Sequence, residues 1–186
     1  DHSGLEYLWQ GDAAYWTGQA PILFPICGSI RGDRAQLPDG RAVSMPRHGI
    51  VRKREFRLES SGRDFLTFEI TADEEMKKQF PFAFRLLVTY TLDGNRITVT
   101  FCVENRDTKE MPFTIGGHPG FNCPLLPGEQ FSDYQVEFEQ TEHCSVPQQL
   151  TQTGLLDLQK RHDMLQNTRV LPLDFSLFEQ DAITFD

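Results

Sequence analysis

The chain has 186 residues, 39% hydrophobic and 24% charged, with a formal net charge of −9. That length supports one sizeable core rather than two comfortable domains, so a single domain over 1–186 is expected. An acidic chain with no Lys/Arg block lacks the basic patch of a nucleic-acid binder, and no apolar run approaches the roughly 18 residues of a membrane span.

The opening Asp1-His2-Ser3-Gly4 is polar, without the apolar core of a signal peptide. Glu6 to Trp16 mixes aromatics, glycine and acids and reads as an irregular loop packed through Trp9 and Trp16. Pro21-Ile22-Leu23-Phe24-Pro25-Ile26 is a proline-bounded apolar run, an edge or crossing segment. Pro38-Asp39-Gly40 signals a turn, and a short strand then leads to His48. Strands are expected over Phe56–Leu58 and around Leu66, Phe68 and Ile70, with Thr67, Glu69 and Thr71 on the other face. Ala72 to Gln79 reads as a helical turn or two. Its acids come first and its lysines last, as the helix dipole favours.

The clearest element is a hairpin. Phe84 to Leu92 and Ile97 to Val103 alternate apolar and polar around the Asp93-Gly94-Asn95 turn. Leu86, Val88, Tyr90, Val99 and Phe101 are expected toward a core formed with a second sheet. Further strands are expected at Met111–Ile115, around Tyr134–Phe138, and at Val170–Leu173 and Ala182–Phe185. His143 to Asn167 is Gln-rich and weakly patterned, suggesting connections and short strands. Many strands, little helix and fifteen Phe give an all-β class, a large antiparallel β-sandwich.

Two histidines stand out. In Thr114-Ile115-Gly116-Gly117-His118-Pro119-Gly120-Phe121-Asn122, glycines and a proline flank an imidazole at the expected end of a strand. Such a segment holds a general acid or base rigidly; a tight turn whose histidine caps a strand is the competing reading. Pro46-Arg47-His48-Gly49 repeats the theme. Cys27, Cys102, Cys123 and Cys144 have no CxxC spacing and read as free, mostly buried thiols of a cytoplasmic protein. No residues have the spacing of a metal site, and no metal or other cofactor is expected.

These segments, in the order Glu6-Tyr7-Leu8-Trp9-Gln10-Gly11-Asp12, Tyr15-Trp16, Pro21 to Gly28, Pro46 to Arg52 and Thr114 to Leu125, resemble the aldose 1-epimerase (mutarotase) family. Its short bacterial branch is the nearest pattern. The resemblance implies the galactose mutarotase-like supersandwich, truncated here at both ends. It also implies ring-opening interconversion of sugar anomers by a base at the C1 hydroxyl and an acid at the ring oxygen. His118 matches the family's acid, and His48 its sugar-binding second histidine. Arg31, with Arg34 as second choice, stands for the arginine that binds sugar hydroxyls, the branch's Gly-Arg being Gly28-Ser29 here. Asp181 stands for a later sugar-binding aspartate.

On that basis His48 and His118 are expected in one concave site with Arg31 or Arg34 on its rim. The family's base is a glutamate beyond Asp186, so residues 1–186 alone are expected to bind aldohexoses weakly without accelerating mutarotation. Glu104, Glu137 and Glu139 read as solvent-facing strand positions, and His2, His143 and His162 as exposed. The expected partner is a small sugar, galactose or glucose, taken by a monomer or homodimer, with no nucleic acid and no membrane. Two other functions compete: a carbohydrate-binding protein without turnover, and a hexose-phosphate mutarotase, for which Arg47, Arg52 and Lys53 beside His48 speak.

Overall fold

A computed structural model describes residues 3–186, so His2 lies outside the described residues. Among the described residues it is all-β, with antiparallel ladders, one isolated parallel bridge between Phe24 and Gly49, one short α-helix and three 3-10 turns. The chain divides into two compact units, Ile22–Gly116 and Asp1–Pro21 with Gly117–Asp186. No helix among the described residues is long and apolar enough to cross a membrane.

In the first unit, β1 (Ile22–Leu23) precedes a hairpin of β2 (Arg34–Gln36) and β3 (Ala42–Ser44) turned through Pro38-Asp39-Gly40. A four-stranded sheet follows in the order β4 (Arg57–Ser61), β5 (Phe65–Thr71), β6 (Phe84–Asp93), β7 (Arg96–Asn105). The pairing Leu86↔Val103, Val88↔Phe101, Tyr90↔Val99 and Leu92↔Ile97 puts the expected apolar residues on one face. Ile70, Phe68 and Leu66 extend the rows across β5.

One end of that face is the core. Phe84, Leu86, Val88 and Ile70 pack with Phe24, Met76, Phe80 and Phe82. The short helix α1 (Glu74–Gln79) supplies Met76, and the Asp73 carboxylate caps it by accepting from Met76 N–H at 2.7 Å. The other end, toward the hairpin tip, is open: Val99 and Leu66 are exposed. Val99 therefore shares the face but not the core, contrary to expectation: in its row only Tyr90, its partner on β6, packs against the buried cluster. Thr67 is buried although it faces away, and its hydroxyl is satisfied by Thr89 at 3.0 Å. On the opposite side Arg85 joins Glu59, Glu69 and Glu104 in an ion-pair network, so Glu104 is a structural partner.

Met111–Ile115 is not a strand, contrary to expectation. Pro112 has no N–H to give, and Thr114 N–H goes to Pro25 carbonyl at 2.9 Å. β8 (Gly116–Gly117) marks the passage to the second unit.

That unit is built on a long antiparallel ribbon, β9 (Gln135–Leu150) and β10 (Leu155–Pro172), not the short strands expected over His143–Asn167. Register shifts between Asp157/Arg161, Asp163/Leu165, Gln166/Thr168 and Thr168/Val170 break the period-two pattern, which hides the strands from periodicity. Val146, Leu165 and Leu171 form its buried centre. Ala182–Phe185 is not a strand. Its side chains tether it instead: Gln149 donates to Thr184 Oγ1 at 2.6 Å and the Phe185 ring packs on Phe138. His143 and His162 are exposed, and Glu137 pairs with Arg169. All four cysteines are free, but Cys27 and Cys102 are exposed rather than buried.

Candidate functional site

His48 sits in the first unit with φ 72, followed by Gly49 at φ 78. Two bonds to Gly28 hold it: His48 N–H donates to Gly28 carbonyl at 2.8 Å, and Gly28 N–H donates to His48 Nδ1 at 3.1 Å. An Nδ1 that accepts carries no proton, so the neutral ring carries its hydrogen on Nε2 and presents a donor there. Gly49 is required. A Cβ at that position would lie 2.2 Å from Phe24 carbonyl oxygen, and Ile50 N–H already donates to that oxygen at 2.9 Å. The buried Phe24 thus fixes the turn that presents His48.

Arg31 opens a 3-10 turn, Arg31–Asp33, three residues past Gly28, and it is exposed. Met45 N–H donates to Asp33 carbonyl at 3.0 Å, tying this turn to the chain that runs to His48. Arg34 begins β2 opposite Ser44 and is also exposed.

His118 belongs to the second unit, and its ring is exposed against Trp16, centroids 5.0 Å apart at 46°. Its backbone N–H donates to Pro21 carbonyl at 3.1 Å, and Gly120 N–H to Gln19 carbonyl at 2.7 Å. A Cβ on Gly120 would meet the Trp16 ring at 2.9 Å and Trp9 Cβ at 3.0 Å, so a side chain there would push these segments apart. Trp9 Nε1 donates to Trp16 carbonyl at 2.7 Å, and Asn122 Nδ2 to the carbonyls of Glu6 and Leu8. The loop's far end is pinned by Tyr134, whose hydroxyl accepts from Leu125 N–H at 2.8 Å and donates to Glu129. That bond to Glu129 pushes the Tyr134 pKa up. Two motifs more than a hundred residues apart, Glu6–Trp16 and His118–Leu125, thereby form one local structure. Trp16 as the ring partner of His118 is what sequence reading missed; its neighbour Tyr15 and the glycines around it were the available signal.

Asp181 is exposed at φ 78, its carboxylate accepting from Ala182 N–H at 2.7 Å. It lines a cavity of about 520 Å³ with Gln149, Arg161, His162 and Ile183; His118 is not among the lining residues. Arg161 in that cavity is held by Asp186 at 2.7 and 2.9 Å, which draws the Asp186 carboxyl below its usual range. No group of three or more His, Cys, Asp or Glu with the geometry of a metal site occurs among the described residues.

The fold agrees with what comparison finds. The profile of the family described as aldose 1-epimerase matches residues 1–185. The chain is 51% identical over 191 residues to the chromosomal and plasmid LacX proteins of Lactococcus lactis subsp. lactis, over 100% of this chain and 64% of each relative. Among solved structures, a galactose mutarotase related enzyme of Lactobacillus acidophilus superimposes with TM-score 0.85 at 31% identity, over 95% of this chain and 58% of that one. A galactose mutarotase-like protein of Lactobacillus casei gives 0.81 at 30%, over 98% and 62%. The chain thus spans under two thirds of the length of these relatives, and across that span its fold and its sequence place it in the aldose 1-epimerase family.

Proposed function

We propose that the protein interconverts the α and β anomers of a free aldohexose such as galactose or glucose. His118 is the acid that protonates the ring oxygen as the C1 hydroxyl loses its proton to a base; the ring opens, the C1–C2 bond turns, and closure gives the other anomer. His48 hydrogen-bonds the sugar through Nε2–H. Arg31 and Asp181 bind sugar hydroxyls.

The observation that carries this reading is the setting of His118. Its backbone is fixed at Pro21 and its ring lies on Trp16, yet the imidazole is exposed. A positioned, accessible acid of this kind contributes about 10²–10⁴-fold. Tryptophan beside it offers an apolar face of the sort that sugars meet. This chain covers 64% of each LacX relative, so the activity is proposed for a chain extended to the full length of those relatives.

Polarimetry on freshly dissolved α-galactose tests the reading, with the spontaneous rate subtracted. The extended protein should speed the approach to equilibrium, and His118→Asn should slow it about 10²-fold or more. Saturable binding of galactose without any acceleration would leave a carbohydrate-binding protein and sink the enzyme.

A further inference from the structure

We propose that Thr114 is a positioning residue for His48: its hydroxyl fixes the backbone segment whose amide fixes the imidazole. The proposal rests on the reading of His48 as the sugar-holding histidine and names a residue that serves this role through the backbone. Thr114, Cys27, Gly28 and His48 all belong to the unit Ile22–Gly116. Cys27 N–H donates to Thr114 Oγ1 at 3.0 Å, and Gly28 N–H, next along the chain, donates to His48 Nδ1 at 3.1 Å. Two consecutive amides thus have different partners, the hydroxyl for one and the ring for the other.

Both the His48 turn and Thr114 hold the segment from Phe24 to Gly28. In the His48 turn, Ile50 N–H donates to Phe24 carbonyl at 2.9 Å and His48 N–H to Gly28 carbonyl at 2.8 Å. Thr114 N–H donates to Pro25 carbonyl at 2.9 Å, and Pro25 has no N–H of its own to give. The Thr114 backbone therefore anchors the segment at Pro25, and its side chain anchors it at Cys27, beside Gly28. Gly28 has φ 77, and a Cβ there would meet nothing within 4 Å. Packing does not wedge this glycine on its Cβ side, so the orientation of its amide rests on the hydrogen bonds around it. Glycine is also the residue freest to turn when one of them is lost.

An imidazole whose Nδ1 accepts keeps its proton on Nε2, and that N–H is the donor offered to a sugar hydroxyl. When Gly28 N–H swings away, the hold on Nδ1 weakens and the ring is freer to carry its proton there instead. A neutral ring in that second form has no proton on Nε2 to donate. The hydroxyl of Thr114 is the group that matters: serine keeps it, whereas valine puts a methyl in its place. Cys27 is exposed, so its N–H then turns to water, and exchanging one such bond for water shifts an equilibrium by about threefold.

Nitrogen NMR of the imidazoles in residues 1–186, at about pH 8.5 where histidine is neutral, reads the His48 tautomer, with His48→Asn assigning the signal. Wild type should show the Nε2–H form; an Nδ1–H ring there overturns the proposal. Thr114→Val should shift the balance toward Nδ1–H by about threefold, and Thr114→Ser should keep the wild-type pattern. Thr114→Ala removes the same hydroxyl with a smaller side chain and should match Thr114→Val. A shift in the valine variant alone comes from its added methyl and sinks the idea. So does an unchanged tautomer in both variants, since a merely structural role would lower stability and leave the ring as it is. In the chain extended to the length of its relatives, Thr114→Val should raise the KM for galactose about threefold with kcat within about twofold, the split expected when uniform binding is lost. A shifted tautomer with an unchanged KM keeps Thr114 as the positioning residue and rejects the sugar-holding reading of His48.

Discussion

The two histidine turns are built from the same ingredients and differ in what holds the ring. His48 is locked through its own Nδ1 by Gly28 N–H, half-buried, in a turn pressed against the core at Phe24. His118 is exposed and supported from one side by the Trp16 ring. A ring with its tautomer fixed by the backbone is suited to donating one constant hydrogen bond. An accessible ring resting at a tilt against an indole is suited to exchanging a proton. That difference supports the proposed division of labour between a sugar-holding histidine and a proton-transferring one.

The comparison breaks first at the glycines. Gly49→Ala forces a Cβ to within 2.2 Å of backbone at positive φ, and should destabilise by about 3 kcal/mol or more in chemical denaturation. Gly120→Ala meets mostly side chains, which can give way. It should cost about 1–2 kcal/mol and displace Trp16, visible as a change in tryptophan fluorescence. Equal losses at the two positions would mean that both turns are core-bound and the distinction is false.

A second pair sharpens the same contrast within the first sheet. Val88→Ala should cost roughly 2 kcal/mol, since its side chain is 1% exposed in the packed cluster. Val99→Ala, on the same face but 42% exposed, should cost under about 1 kcal/mol. A larger loss at Val99 would mean that the open end of the face is covered in solution.

The smallest effect concerns acid stability. Hydrogen bonds from Arg57 and then Arg85 hold the Glu69 carboxyl below its usual range. A depressed carboxylate stabilises the fold above its unfolded pKa and loses that contribution as pH falls through the folded value. Glu69→Gln should therefore flatten the decline of stability below about pH 4.5. An unchanged acid limb in the variant would show that the ion pairs are too solvated to matter.

The regular parts of this fold were legible because their chemistry is local. The Asp93-Gly94-Asn95 turn with alternation on both sides defines β6 and β7, and Asp73 with its following acids and lysines defines α1. The β9–β10 ribbon was not legible, since its bulges disrupt the alternation that marks a strand. Neither was the exposure of Val99. Sequence tells which face a residue shares and not how far the covering layer extends. The two candidate histidines are singled out by flanking glycines and motif order, while the Gly28–Nδ1 bond and the Trp16 ring contact depend on long-range closure that no local pattern encodes.

The central claim is that His118 transfers the proton while His48 holds the sugar. Saturation-transfer NMR on galactose, which reads anomer exchange and sugar affinity in one sample, tests it in a chain extended to the length of its relatives. His118→Asn should cut the catalysed exchange about 10²-fold or more with affinity kept, and His48→Asn should chiefly weaken affinity. Full exchange in His118→Asn, or a loss of affinity there with exchange intact at saturating sugar, would contradict the account.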